Sequence, residues 1–369
     1  MSRRENEITQ KTLLLHIGMG KTGTTALQNF FWKNRGKLAE HGILYPNVGV
    51  IAGAHHLLSP HHPVFLKNWH YLDIDEWAPK LLKEQESRIL LSSELIAWVK
   101  EENAINFSRR LAESFQVKIV LYLRRQDHII MAGYNQQIKA GTQINHIDET
   151  LDIQLQRFDY AQKIRPWDRV FGKTNILIRP YERNQFYQGN LLNDFMHHVL
   201  NLEMSDEYIV SGDNANPRLS NSCTEFKRLL NNIFPDVEES SKFNAVLLKY
   251  SEAEDHSSKE IFSSEPTLSP KTRREILQKC KGTNTMIARN YLGRDDGILF
   301  YEPIPEDDHG WESKNELSEQ KIADIAQFIK EHNPHLMEKL REIIIKNLDS
   351  SKGRLRKAAI KLQPVLESI

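Results

Sequence analysis

The stretch His16–Thr25 reads HIGMGKTGTT, and this stretch decides the fold. Leu13–Ile17 is a short continuous apolar run that ends in it, as is typical of a buried strand. Ala26–Glu40 follows it, with apolar residues near helical spacing and Gly42 as a stop signal. A strand, a glycine-rich loop and a helix in this order open a βαβ unit.

After this unit, further strands and helices alternate with each other along the first half of the chain. The patterns predict strands at 89–91, 117–123 and 176–178, and helices from Asp75 toward Glu86 and over 106–115, 127–139 and 160–171. Alternation of this kind predicts an α/β fold with a central parallel sheet and its ligand beyond the carboxyl ends of the strands.

Beyond Phe195 the chain becomes mostly helical. We predict an α/β domain over residues 1–300, helical from about 200, and a helical C-terminal extension over 301–369. Ile276–Leu292 is predicted as two short helices split near Gly282, and Ser251–Pro270 as an exposed loop. A basic patch closes the extension, and it fits either a solvated face or a contact with a partner, a membrane surface or a polyanion: Lys352, Arg354, Arg356, Lys357 and Lys361.

Composition excludes several classes of protein. Lys plus Arg and Asp plus Glu number 49 each, so the formal net charge is zero and bulk binding of a nucleic acid is not expected. No apolar run approaches the length of a membrane span or of a signal-peptide core, which predicts a cytoplasmic protein. Cys223 and Cys280 match no zinc-ligand spacing, and no metal site is expected from them.

The loop has the composition of a phosphate cradle. Gly20 and Gly23 let consecutive N–H groups point at an anion, and the start of the following helix adds partial positive charge. Four side chains supply further donors: Lys21, Thr22, Thr24 and Thr25. The Walker A pattern of ATPases fails, because Leu15 stands where its first glycine would be.

The strand at 117–123 ends in Arg124 and Arg125. A nucleoside triphosphatase would place a magnesium-binding Asp at such a strand end, whereas two arginines suit a second anion. The pair also fits an ordinary salt-bridge site on the surface.

These residues resemble a known family. The loop KTGTT after an apolar strand, and a second strand ending YLRRQD before a helix with YNQ, are similar to the sulfotransferases that use 3'-phosphoadenosine 5'-phosphosulfate (PAPS), in particular their bacterial carbohydrate branch. The resemblance covers about residues 12–300. It implies a three-layer fold like that of the P-loop NTPases, Gly20–Thr25 as the 5'-phosphosulfate loop, Arg124 or Arg125 on the 3'-phosphate, the product adenosine 3',5'-bisphosphate (PAP), and no metal.

One part of the family motif is missing. The family has a Ser eight residues after its Arg, and the corresponding residues are Ala132 and Gly133. A backbone N–H, as at Gly133, or the side chain of Tyr134 or Lys139 would have to replace that hydroxyl. Lys281 and Gly282 are weak candidates for a late basic loop on the nucleotide.

Sulfuryl transfer needs leaving-group stabilisation and a base. Lys21 and the helix start suit the first task, and Glu94 is the first candidate base because it follows a strand that ends near the loop. His55 and His56, in a loop with His61, His62 and His70 nearby, are the second candidates. The competing interpretation of Glu94 is a structural carboxylate, and those of the histidines are an ordinary surface loop and a metal cluster.

The acceptor is expected to be a hydroxyl compound, and the resemblance favours a saccharide or glycan. Five tryptophans fit either platforms for sugar rings or ordinary packing in the core: Trp32, Trp69, Trp77, Trp98 and Trp167. The sequence leaves the oligomeric state open. Two other functions remain possible. One is a P-loop-type small-molecule kinase with Glu94 as its second carboxylate, and the other is a non-catalytic nucleotide-binding module.

Overall fold

The computed structural model describes residues 10–60, 69–210, 218–254, 267–303 and 317–367. The described strands are β1 (Thr12–His16), β2 (Ile43–Leu44), β3 (Arg88–Ser92), β4 (Gln116–Leu123) and β5 (Ile176–Pro180). They form one parallel sheet in the order β2-β3-β1-β4-β5. The prediction of an α/β fold with a central parallel sheet is confirmed.

The described helices of the first half are α1 (Thr24–Lys33), α2 (Arg35–Glu40), α3 (Ile74–Leu81), α4 (Glu101–Ser114), α5 (Gln126–Lys139), α6 (Leu151–Arg157), α7 (Tyr160–Phe171) and α8 (Leu191–Phe195). Those of the second half are α9 (Asn221–Ile233), α10 (Val237–Ser241), α11 (Asn244–Glu254), α12 (Pro270–Leu292), α13 (Glu319–His332), α14 (Pro334–Leu348), α15 (Gly353–Lys361) and α16 (Pro364–Glu367). None of them combines the length and apolar character needed to cross a bilayer.

β1 lies in the middle of the sheet, with β3 on one side and β4 on the other. Leu14 is opposite Leu90 of β3 and Lys118 of β4, so the carboxyl ends of the three strands lie together. The chain beyond β1 continues along β4, where the N–H of Met19 donates to the carbonyl of Tyr122 at 3.0 Å. The glycine-rich loop therefore leaves the sheet between the ends of its two neighbours, where the direction of strand order reverses.

Several predicted boundaries were wrong for local reasons. The helix predicted over 26–40 divides at Asn34, whose backbone leaves helical geometry (φ −104°, ψ 15°). Asp73, not Asp75, caps α3, because a capping box pairs it with Glu76, and α3 ends at Leu81. The two-residue strand β2 was missed because a run so short has no periodicity to detect.

α12 is one continuous helix, so the predicted split at Gly282 was wrong. The space around Gly282 is open within 4 Å, so no tertiary contact breaks the helix at that residue. A single glycine costs a helix about 1 kcal/mol, too little to end one of this length. α12 also begins at Pro270, and of the loop predicted over 251–270, residues 255–266 lie outside the described part of the chain.

The chain folds into two units that interleave along the sequence. The first contains residues 1–125, 158–215 and 279–302, and it holds the whole sheet. The second contains residues 126–157, 216–278 and 303–369 and is helical where it is described. A boundary at residue 300 therefore does not separate an α/β domain from an extension.

The second unit has its own hydrophobic core. Phe226 and Leu230 of α9, Ile325 and Ile329 of α13, and Leu340 of α14 are among its buried residues. Because α13, α14 and α15 complete this core, they are part of a unit that already begins at residue 126 and not an appendage to the first.

Candidate functional site

The glycine-rich loop in the first unit is a tight turn closed by its own side chain. Thr22 is fully buried, and its hydroxyl donates to the carbonyl of Met19 at 2.5 Å. Lys21 adopts a left-handed backbone conformation (φ 69°), which is unfavourable by about 1–2 kcal/mol for a residue with a Cβ atom. A non-glycine residue held in this conformation marks a turn that the surrounding structure enforces.

The loop ends at the uncapped N-terminus of α1. Gly23 occupies the cap position with φ 73°, no side chain caps the helix, and its first turn has no acidic residue. The N–H groups of the first turn therefore have neither an intrahelical acceptor nor a side-chain cap, a state that favours an anion. Thr24, which is buried, and Thr25, which is exposed, begin this turn.

Glu94 lies directly against the loop. A Cβ atom on Gly18 would be 3.0 Å from the Cβ atom of Glu94, and one on Gly20 would be 4.0 Å from its Cγ atom. Glu94 begins the short 3₁₀ turn Glu94–Trp98, two residues after the end of β3. The structure thus brings together the carboxylate and the loop that the sequence predicted to meet.

Two side chains face the carboxylate of Glu94. Gln28, buried on α1, donates from Nε2 to Oε2 of Glu94 at 2.8 Å, and the same nitrogen is 3.3 Å from the hydroxyl of Ser92. Nε2 of His56 lies 4.0 Å from Oε1 of Glu94. One carboxylate oxygen is therefore anchored to the helix that begins at the loop, and the other faces a histidine.

His56 belongs to a small polar network. Its Nδ1 shares a hydrogen bond of 2.9 Å with the hydroxyl of Ser93, and its ring stacks on Trp69 at a centroid distance of 6.0 Å. Burial lowers the pKa of His56 below its ordinary value, and the nearby Glu94 opposes that shift in part. The net shift favours a neutral imidazole at pH 7.

His55 has a structural role in the same loop. Its Nε2 is 2.9 Å from the carbonyl of Pro46, its Nδ1 accepts from the N–H of Ser92 at 3.1 Å, and burial lowers its pKa to about 4. With both ring nitrogens bonded to the backbone, His55 does not fit the role of a base. It fastens the histidine loop to the end of β3.

Arg124 reaches the loop from the other neighbouring strand. Its Nη1 donates to the carbonyl of Lys21 at 3.1 Å, and its guanidinium carbon lies 5.5 Å from the ring centroid of Tyr181. Its Nε is buried and has no hydrogen-bond partner among the described residues. Arg124 therefore places positive charge beside the loop.

Arg125 is bound elsewhere in the same unit. Its buried guanidinium donates to the carbonyl of Glu302, and Nη2 is 3.7 Å from Oε1 of that residue. The N–H groups of Tyr301 and Glu302 in turn donate to the buried carboxylate of Glu182. Of the two arginines, Arg124 is thus the one that contacts the loop in the described contacts.

The residues offered in place of the missing serine are on α5, in the second unit. Gly133 is the eighth residue of that helix, and only the first four N–H groups of a helix lack an intrahelical acceptor, so its N–H does not fit the role of an anion donor. The hydroxyl of Tyr134 donates to the carbonyl of Asn145 at 3.1 Å. Lys139 is half-buried, and Lys281 and Gly282 lie inside α12 and not in a loop.

Sequence reasoning missed Gln28, Ser92 and Ser93 as parts of this site. Gln28 stands four residues after Thr24 and so faces the same side of α1, which is the only local pattern that could have indicated it. Its contact with Glu94 spans 66 residues of sequence and could not be predicted from spacing.

Other predicted candidates are dispersed. His61 and His62 lie outside the described residues, and the described part of the chain contains no group of three His, Cys, Asp or Glu side chains able to hold a metal ion. Trp77 and Trp167 are buried in the core, whereas Trp69 contacts His56 beside Glu94.

Comparison with known proteins adds a relative but no function. The chain is 30% identical over 190 residues to an uncharacterized protein of Archaeoglobus fulgidus, a match that covers 50% of this chain and 48% of that protein. The match therefore spans about half the length of each protein. No protein-family model matches the chain. No solved structure matches it either.

Proposed function

We propose that this protein is a PAPS-dependent sulfotransferase with a fold like that of the P-loop NTPases, and that it transfers a sulfo group to a hydroxyl of a saccharide or glycan. The observation that carries the proposal is the pair of charged side chains on either side of one loop. Glu94, after β3, and Arg124, after β4, both contact the loop that follows β1.

The donor would bind at the loop. The N-terminus of α1 and Lys21 would hold the 5'-phosphosulfate, and Arg124 the 3'-phosphate. A PAPS molecule carries several negative charges, so the absence of a carboxylate from the first turn of α1 supports this use of the loop. Arg125 is the weaker choice for the 3'-phosphate because its guanidinium already contacts Glu302.

The reaction would proceed in line at sulfur. The acceptor oxygen forms a bond to sulfur as the bond from sulfur to the 5'-phosphate oxygen breaks, and the acceptor proton moves to Glu94. Lys21 and the N–H groups of α1 stabilise the charge that develops on the departing PAP. The products are a sulfate ester and PAP.

Glu94 is favoured over the histidines as the base. Gln28 holds Oε2, so Oε1 is the oxygen left to accept a proton. His56 stands behind that oxygen and could take the proton later, whereas both nitrogens of His55 are engaged with the backbone. Gln28 acts in this scheme as a positioning residue, because it connects the helix of the donor loop to the base.

The kinase alternative rests on the same carboxylate. A kinase would need Glu94 or a second acidic group to hold magnesium, and β4 ends in arginines instead. A non-catalytic module would bind the nucleotide without any need for a carboxylate beside the loop. The three proposals differ in ligand and in turnover.

Binding is the first experiment. Titration calorimetry of the full chain in EDTA should show PAP binding, and Arg124→Met should weaken it. ATP with magnesium serves as the competitor. If ATP with magnesium binds as tightly as PAP, the donor is wrong and the kinase proposal takes precedence.

Turnover is the second experiment. With sulfur-35 PAPS and a panel of saccharide acceptors, the wild-type chain should label an acceptor, and Glu94→Gln should lower the rate by about 10²–10⁴-fold while PAP affinity is kept. Glu113→Gln, an exposed carboxylate on α4, is the matched control and should retain full rate. Equal rates in the two variants would exclude Glu94 as the base, and PAP binding without any labelled acceptor would favour the module.

A further inference from the structure

The short helix α15 has a basic outer face in the second unit. Ala358, Ala359 and Leu362 point into the hydrophobic core of that unit. At about 100° per residue, the opposite side of the helix is centred between Lys357 and Ile360. The flanking positions on that side are also basic: Arg354, Arg356 and Lys361. All five residues of this outer face are exposed, and Ile360 keeps 49% of its surface accessible.

The basic side chains of this face form no ion pair with a carboxylate in the described part of the chain. The sequence has no Asp or Glu between Asp349 and Glu367. The one described side-chain hydrogen bond of Arg354 is to the amide oxygen of Asn145, which is neutral. A cluster of this density facing water suits a surface that carries many negative charges.

We propose that the outer face of α15 docks the protein on an anionic lipid bilayer. The argument for lipid over a nucleic acid is Ile360, an isoleucine in the middle of the basic face. A bilayer accepts such a side chain at the boundary between headgroups and acyl chains while the surrounding Lys and Arg contact phosphates. A nucleic-acid backbone has no apolar layer at that position.

This proposal is independent of the sulfotransferase proposal. Its test is co-sedimentation of the full-length chain with vesicles of equimolar phosphatidylcholine and phosphatidylserine, beside vesicles of phosphatidylcholine alone. We expect binding to the mixed vesicles only, weakened by added salt. Each basic side chain near such a surface contributes about 1 kcal/mol, or about fivefold, so Lys357→Gln with Lys361→Gln should lower the partition coefficient by about 30-fold.

The matched control removes the same charge elsewhere. Lys83→Gln with Lys249→Gln changes two other exposed lysines and should leave the partition coefficient within about twofold. Ile360→Ser should weaken binding by about fourfold for each CH₂ group that enters the bilayer. Equal loss in the two double variants, no effect of Ile360→Ser, or release of the chain from vesicles by stoichiometric duplex RNA would overturn the proposal.

Discussion

Gly23→Ala should damage the loop through two separate effects. Gly23 has φ 73°, a backbone conformation that costs a residue with a Cβ atom about 1–2 kcal/mol. An added Cβ atom would also lie 2.3 Å from Cδ2 of Leu191, where carbon atoms in contact are normally about 3.5–4.0 Å apart. Leu191 is half-buried and Cδ2 is the end of its side chain, so an off-rotamer shift at a cost of about 0.5–1.5 kcal/mol relieves the overlap. The free energy of unfolding should therefore fall by about 1.5–3.5 kcal/mol in total.

A double-mutant cycle separates the cost of the clash with Leu191 from the cost of the left-handed backbone. Leu191→Ala removes the atom that the new methyl group would meet, so Gly23→Ala in that background should cost only the backbone term, about 1–2 kcal/mol. The coupling energy between the two positions should therefore be about 0.5–1.5 kcal/mol.

The assay is urea denaturation followed by tryptophan fluorescence. Residues Trp32, Trp69, Trp77, Trp98 and Trp167 all belong to the first unit, so this fluorescence reports mainly on the unit that contains the loop. Gly36→Ala in α2 is the matched control: its Cβ atom would meet nothing within 4 Å, and it should stabilise the protein by about 0.5–1 kcal/mol.

Two results would refute this reasoning. If Gly23→Ala matched Gly36→Ala, both the left-handed backbone of Gly23 and the described approach of Leu191 to the loop would be wrong. If the cycle were additive within about 0.3 kcal/mol, the contact with Leu191 would contribute nothing and only backbone strain would remain.

Three further predictions concern binding, catalysis and pH. Arg124→Met should weaken PAP binding in calorimetry by about 10–150-fold, because a hydrogen bond to a charged group contributes about 1.5–3 kcal/mol. Arg125→Met should change PAP affinity less than threefold and should instead lower the melting temperature. Gln28→Leu, which keeps a similar side-chain volume, should lower the rate of sulfur-35 transfer by about 10–100-fold and change PAP affinity by less than twofold. Equal losses of transfer rate and of PAP affinity would show a general distortion of the site. Because burial lowers the pKa of His55 to about 4 while an unfolded histidine titrates near 6.5, the unfolded state binds the proton first as pH falls. The free energy of unfolding should therefore fall as the pH drops below 6.5, and His55 alone should account for a loss of about 2 kcal/mol at pH 5. His55→Gln should flatten this dependence on pH, whereas the control His41→Gln, which replaces an exposed histidine, should leave it unchanged.

Much of the first unit was predictable from short stretches of sequence. β4 was predicted as 117–123 and is Gln116–Leu123, and the helix predicted over 160–171 is α7. These elements follow local rules, in which buried parallel strands are apolar throughout and helices show one apolar stripe. The glycine-rich loop is local in the same sense, because its turn and the start of α1 lie within ten consecutive residues.

The partners of the loop were decided only by tertiary structure. Glu94 and Gln28 meet because β3 pairs with β1, a pairing between residues 76 positions apart that no periodicity encodes. Side-chain contacts at the strand end likewise separate Arg124 from Arg125, which are indistinguishable as neighbours in sequence.

From the amino-acid sequence alone, a parallel α/β sheet and a glycine-rich turn after its first strand were predictable, because strand burial, glycine turns and helix starts depend on neighbouring residues. Long-range contacts set which carboxylate and which guanidinium lie beside that loop, and they engage both ring nitrogens of His55 with the backbone. They also make the C-terminal helices part of the core that α9 and α11 begin. Those outcomes depend on strand pairing and on helix packing across long sequence separations, where the free energy comes from burying surfaces together and not from any one segment.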